Sequence, residues 1–167
     1  MKVPSDDEIN NQARRVAEAL VASGETMATA ESCTGGWVAK VCTDLSGSSA
    51  WFTGGFVTYS NDLKHQLLGV TEADLELHGA VSEPVVRAMV AGACRAANSD
   101  WAVAVSGVAG PSGGTVEKPV GTVWYSWGTT EQTQARCELF SGNRDDVRRQ
   151  AVKAVLQALY SDVIASR

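Results

Sequence analysis

Behind the capping box Ser5-x-x-Glu8, the apolar residues Ile9, Ala13, Val16, Ala17, Leu20 and Val21 recur at helical spacing. The pattern predicts a first helix ended by Gly24. Thr26 to Ala30 reads as a short strand, followed by the turn Glu31-Ser32-Cys33-Thr34-Gly35-Gly36. A second helix is expected from about Gly36 to Leu45, with Trp37, Val38, Val41 and Cys42 as its apolar positions. Gly55 to Tyr59 is strand-like, Asp62 to Leu68 reads as a short helix stopped by Gly69, and Thr71 caps another that ends at Gly79. Ser82, with Pro84 in the first turn, opens a longer helix whose stripe is Val86, Met89, Val90, Ala93, Cys94 and Ala97. Trp101 to Ser106 mixes β-branched and small residues as a buried strand does, and a glycine-rich loop, Gly107 to Gly114, follows it. Gly121 to Trp127 and Thr133 to Phe140 read as an antiparallel pair around Gly128-Thr129-Thr130. A last helix, about Arg144 to Ile164, buries Val152, Val155, Leu156, Leu159 and Val163.

Strands and helices mix throughout, and no linker or repeat interrupts them. The expected fold is therefore α/β, a three-layer α/β/α sandwich with a mixed sheet whose strand order the pattern does not give. At 167 residues the chain suits one domain spanning positions 1–167.

Composition narrows the partners. Hydrophobic residues make up 44% and charged residues 20%, the balance of an ordinary globular protein. A net charge of -5 argues against a broad grip on nucleic acid but leaves room for a local basic patch around one phosphate. No apolar run approaches the roughly 20 residues that span a bilayer, and the N-terminus lacks the apolar stretch of a signal peptide. Cys33, Cys42, Cys94 and Cys137 form no Cys-x-x-Cys pair, so reduced, mostly buried thiols in a cytoplasmic protein are expected, with no metal site.

Four segments hold candidate chemistry. In the turn after the first strand, Ser32 sits where a helix begins, so amides from Thr34 to Gly36 are positioned to meet the oxyanion of whatever Ser32 attacks. The pattern serves equally for Ser32 and Thr34 as plain helix caps, the more frequent role, and Cys33 competes as nucleophile. Lys64, in Thr58-Tyr59-Ser60-Asn61-Asp62-Leu63-Lys64, is the lysine best placed to return to the strand ends. A neutral lysine in a dry pocket can serve a serine as base, and Tyr59 is placed to orient the pair; a solvated surface lysine is the alternative. The loop spacing Gly107-x-x-Gly110-x-x-Gly113 matches no dinucleotide or Walker motif. Gly110-x-Ser112-x-Gly114 resembles a nucleophile elbow, but no helix follows it and both histidines, His65 and His78, precede it. Such a loop presents either consecutive amides to an anion or only a flexible turn. Arg144, at the start of the last helix, suits a phosphate or else pairs with neighbouring aspartates.

Together these segments resemble the C-terminal domain of the competence/damage-inducible CinA family, with closer likeness to its stand-alone form, a nicotinamide-nucleotide amidase. The matching stretches include Thr29-Ala30-Glu31-Ser32-Cys33-Thr34-Gly35-Gly36, Gly47-Ser48-Ser49-Ala50, Val57-Thr58-Tyr59-Ser60-Asn61 and His78-Gly79-Ala80-Val81-Ser82-Glu83. They continue through Ser106-Gly107-Val108-Ala109-Gly110-Pro111, Lys118-Pro119-Val120-Gly121-Thr122-Val123 and Phe140-Ser141-Gly142-Asn143-Arg144. The resemblance implies hydrolysis of the carboxamide of nicotinamide mononucleotide, a serine nucleophile at Ser32, and Tyr59 and Lys64 at the matching family positions. It implies a homodimer and calls for no metal or cofactor. On this expectation the Thr34 and Gly35 amides stabilise the oxyanion, while Gly107, Gly110, Gly113 and Arg144 hold the 5'-phosphate. The rival expectation is a regulatory module that binds a pyridine nucleotide without turning it over.

Overall fold

The β-branched and aromatic runs of the chain assemble into one five-stranded sheet, described here from a computed structural model covering residues 2–165. The elements run α1 (Asp6–Ser23), β1 (Met27–Glu31), α2 (Trp37–Thr43), β2 (Phe52–Val57), α3 (Asn61–Leu68), α4 (Glu72–His78), α5 (Glu83–Ala97), β3 (Trp101–Gly107), β4 (Thr122–Gly128), β5 (Thr133–Leu139) and α6 (Arg144–Ala165). The sheet order is β2-β1-β3-β4-β5. β1 lies parallel to both β2 and β3, whereas β4 and β5 add antiparallel, so the sheet is mixed as expected.

Alternation along the strands divides the core in two. Met27, Trp101, Val103, Val105, Val123, Tyr125 and Trp127 pack on one face against α1, α2 and α6. On the other face Ala28, Ala30, Ala102 and Ala104 lie beneath α5, with Leu68 and Leu75 beside it. Alanines there let the α5 backbone come close to the sheet. The next contact is tighter still, because a Cβ on Gly92 would stand 2.0 Å from the Leu68 carbonyl oxygen.

Several boundaries differ from expectation by one to three residues, among them two at glycine pairs. α2 starts at Trp37 because Gly35 and Gly36 adopt positive φ, 61° and 95°, and hold the chain out of the helix. β2 begins three residues early, at Phe52, and runs straight through Gly54 and Gly55. Gly55 serves packing here: a Cβ would stand 2.6 Å from Thr29 Oγ1 and 3.0 Å from the Ala39 methyl.

This topology fixes where a site can form. α2 connects β1 to β2 over one face, while α3, α4 and α5 connect β2 to β3 over the other. The carboxyl end of β1 is therefore a switch point, where a crevice opens between diverging connections. Glu31 ends level with Val57 of β2 and Val105 of β3, so the segments that follow all three strands leave the sheet together. Among the described residues no helix is long and apolar enough to cross a membrane.

Candidate active site

Ser32 is the first residue past β1, and its amide still donates to the Val105 carbonyl at 3.0 Å, so the edge of the sheet fixes its backbone. Glu31 organises the turn that follows. It is fully buried, and its carboxylate accepts from Thr34 Oγ1 at 2.6 Å and from the amides of Gly36, Val38 and Ala39 at 3.1, 3.0 and 2.8 Å. A negative charge thus occupies the N-terminus of α2, where the helix dipole favours it.

This corrects the expected set of oxyanion donors. The amide of Gly36 belongs to Glu31, and that of Gly35 donates to the Ser32 carbonyl at 3.0 Å. A short turn is closed by the second bond, which removes Gly35 as a donor to substrate. The Cys33 and Thr34 amides have no hydrogen-bond acceptor among the described residues. Thr34 keeps its place in the site through its backbone, since its hydroxyl is spent on Glu31.

Ser60 starts α3 by accepting from the Leu63 amide at 3.2 Å, which puts Lys64 in the first turn of the helix with its side chain directed back to the sheet. Lys64 is only 1% exposed. Its Nζ lies 2.7 Å from the Thr58 carbonyl, 3.4 Å from the Tyr59 carbonyl and 3.2 Å from Ser32 Oγ. No carboxylate forms an ion pair with it among the described residues. Burial without a counter-charge lowers its pKa from 10.5 to about 8. As an ammonium, Nζ donates to both carbonyls and to Ser32 Oγ. Once it loses a proton, two N–H groups suffice for the carbonyls and the lone pair is left for the Ser32 hydroxyl.

The competing nucleophile fares differently. Burial pushes the Cys33 thiol up to about 12, and the Glu31 charge adds to the effect. The helix terminus expected to acidify this thiol is already neutralised by Glu31, so Cys33 is a protonated core side chain.

Tyr59 is 62% exposed, so it meets Lys64 through its carbonyl and not its ring. Its hydroxyl accepts from Arg144 Nη2 at 3.4 Å, and Arg144 Nη1 donates to the Gly110 carbonyl at 2.8 Å. Arg144 therefore ties the segment after β2 to the loop after β3. The α6 amides beside it are not free: those of Asp145 and Asp146 donate to Asn143 Oδ1 at 2.8 and 3.0 Å. In the glycine loop, Gly107 ends β3 where a Cβ would meet the Thr122 carbonyl at 2.8 Å. Gly110 and Gly113 take positive φ, 81° and 89°. The amides of Ala109, Gly110, Ser112, Gly113 and Gly114 find no acceptor among the described residues, and Ala109 and Gly110 are buried.

The remaining polar candidates are occupied elsewhere. Lys40 pairs with Asp44, Lys153 with Glu8, His65 Nδ1 contacts the Val70 carbonyl, and the His78 carbonyl accepts from Lys118. No group of three or more His, Cys, Asp or Glu side chains gathers as for a metal ion among the described residues.

A family model described as the CinA C-terminal domain matches residues 9–163. The chain belongs to the CinA C-terminal domain family. It is 56% identical, over 96% of its length and 98% of the other protein, to the nicotinamide-nucleotide amidohydrolase PncC of Escherichia coli strain K12. A protein of the same name from Pseudomonas putida is 50% identical over 92% of this chain and 96% of its own. The crystal structure of the competence damage-inducible protein A of Klebsiella pneumoniae superposes with a TM-score of 0.92 at 38% identity, covering 95% of this chain and 99% of that one. The CinA-type fold thus agrees with the three-layer architecture expected from the sequence.

Two participants escaped the sequence reading. Glu31 gave a usable signal, a carboxylate three residues before a threonine and just ahead of a glycine pair, which suits a side chain folding back onto a helix start. Arg148, which donates to the Cys33 carbonyl from Nε and the Thr34 carbonyl from Nη2, both at 3.0 Å, gave none. Its contact spans more than a hundred positions of sequence.

Proposed function

We propose that this chain is a nicotinamide-nucleotide amidase, cleaving the carboxamide of nicotinamide mononucleotide to nicotinate mononucleotide and ammonia. The carrying observation is the Ser32–Lys64 pair: a hydroxyl and a buried amine 3.2 Å apart, the amine with its pKa lowered to about 8 and no ion-pair partner among the described residues. The name of the Escherichia coli relative supports the substrate.

Lys64, neutral, takes the Ser32 proton as Oγ attacks the carboxamide carbon. The oxyanion meets the uncommitted Thr34 and Cys33 amides, and each such donor is worth about 3 kcal/mol in the transition state. Lys64 returns the proton to the departing ammonia. Water then enters, gives its proton to Lys64, and the nicotinoyl ester is cleaved as Ser32 is regenerated. Arg144 and the open amides of the glycine loop take the 5'-phosphate, remote from the reacting carbon. Lys64 touches none of them, so binding and chemistry are separable by mutation. The four cysteines are free thiols, three of them buried, which fits a cytoplasmic setting.

Ammonia release from nicotinamide mononucleotide, measured for wild type and Ser32→Ala, tests this reading. Release by the wild type alone is expected. Tight binding of the nucleotide with no release by either protein refutes it in favour of the silent regulatory module.

A further inference from the structure

The carbonyls of the nucleophile turn are held from behind by one side chain. Arg148, in the second turn of α6, donates Nε–H to the Cys33 oxygen and Nη2–H to the Thr34 oxygen, 3.0 Å each. Its guanidinium lies over the Trp37 ring, 5.1 Å from the centroid, which restricts its plane. The group borders a cavity of about 400 Å³ that Trp37, Thr34 and Gly35 also line and that neither Ser32 nor Lys64 reaches. Arg148 therefore stands outside the reacting atoms.

In a trans peptide the C=O and N–H of one unit point in opposite directions. The Cys33–Thr34 and Thr34–Gly35 bonds are both trans, since the cis bond among the described residues is Gly110–Pro111. Fixing the Cys33 oxygen on the guanidinium thus aims the Thr34 N–H away from Arg148. Fixing the Thr34 oxygen likewise aims the Gly35 N–H, which closes the turn onto the Ser32 carbonyl at 3.0 Å. The Thr34 amide has no acceptor of its own among the described residues. The Trp37 amide also holds the Thr34 oxygen at 3.1 Å and Glu31 holds its hydroxyl, but the Cys33 oxygen, on the same peptide unit as that amide, is held by Arg148. A cation on the carbonyl side also polarises the peptide and strengthens the donor on its far side.

We infer that Arg148 is a positioning residue for the oxyanion hole, orienting and polarising the Thr34 amide through the backbone without touching substrate. The inference rests on the amidase reading above and adds a residue to it. Lysine is a poor substitute, because one ammonium does not reproduce a planar fork spanning two carbonyls.

The test is steady-state hydrolysis of nicotinamide mononucleotide by wild type, Arg148→Ala and Arg148→Lys, well below each melting temperature. An oxyanion donor is worth about a hundred- to a thousandfold in kcat, and one left present but loose is expected to cost about ten- to a hundredfold. KM should stay within about threefold. Guanidinium ion at non-denaturing millimolar concentration should restore part of the Arg148→Ala rate by entering the vacated cavity, whereas equal sodium chloride should not. A merely structural cross-link predicts no such rescue. If Arg148→Ala does not fold, Arg148→Lys decides, with a kcat loss of about tenfold expected at unchanged KM. An active wild type with a full-rate Arg148→Lys, or with an unrescued Arg148→Ala whose loss lies in KM, overturns the inference and leaves the amidase reading standing. An inactive wild type overturns both.

Discussion

Replacing Lys64 by methionine separates the electrostatic cost of the site from its chemistry. The amine is 1% exposed, has no ion-pair partner among the described residues, and has its pKa lowered from 10.5 to about 8 by burial. That difference corresponds to about 3 kcal/mol of folding free energy. Below pH 8 the folded and unfolded chains both carry the proton, and the wild type bears the full penalty. Between pH 8 and 10.5 the unfolded chain still binds a proton that the folded one has released, so wild-type stability rises with pH. Lys64→Met has no such group, and contributions common to both proteins cancel. Its stability relative to wild type should therefore fall by about 2 kcal/mol between pH 7 and pH 9.5. The Thr58 carbonyl, left without its donor 2.7 Å away, adds an offset of roughly 1–3 kcal/mol that does not vary with pH. Urea unfolding of both proteins at several pH values in this range measures the gap. A stability of the variant relative to wild type that stays constant or rises with pH would refute a depressed lysine pKa. Over pH 7 to 9 the wild-type kcat/KM should rise about tenfold, following the neutral amine, while the variant stays inactive at every pH.

Four further outcomes follow from the same geometry. Ser32→Ala should lose at least about a thousandfold in kcat while Cys33→Ala keeps most activity, and the reverse result in an ammonia assay would move the nucleophile to Cys33. Arg144→Ala should lower kcat/KM for nicotinamide mononucleotide about ten- to a hundredfold and barely change it for nicotinamide riboside; equal losses would falsify a phosphate contact. Glu31→Gln puts an N–H₂ group among four donors and should cost about 3 kcal/mol in urea unfolding, with near-wild-type stability as the contrary result. Gly92→Ala forces a methyl toward the Leu68 carbonyl and should cost about 1–3 kcal/mol, so an unchanged melting temperature would disprove the close α3–α5 crossing.

The parts of the fold legible in the sequence were those written locally. The Ser5-x-x-Glu8 box starts α1 with both reciprocal bonds made, and the periodic stripes of α5 and α6 are buried as their spacing required, save Ala97 at the end of α5, which is half-buried. Ser32 and Lys64 could be nominated from the same kind of reasoning, a small polar residue at a strand end and a lysine returning from a short helix. The strand pattern reads from Gly55 whereas β2 starts at Phe52, because glycines in a strand give no packing signal until their neighbours, Thr29 and Ala39 for Gly55, are in place. Ser82 shows the same limit at a helix start: its hydroxyl turns outward from the expected cap and donates to the Gly79 carbonyl at 2.7 Å. Strand order, the α6 amides already taken by Asn143, and the reach of Arg148 to the first turn all depend on long-range closure.

The two charges flanking Ser32 have opposite fates, and together they explain how a serine works here without histidine. Glu31 is as buried as Lys64, yet four donors satisfy it, and its charge is absorbed by the start of α2. Those donors hold the carboxylate at the start of α2, and it makes no ion pair with Lys64 among the described residues. Lys64 is left with neutral carbonyls and the hydroxyl, partners that a neutral amine also satisfies. An ion pair with a free carboxylate would raise the amine above the value of about 8 that burial gives it and so leave less of the neutral base at any pH. The glycine pair lets the chain fold back over Glu31 and keeps that carboxylate out of an ion pair with Lys64, whose pKa burial lowers.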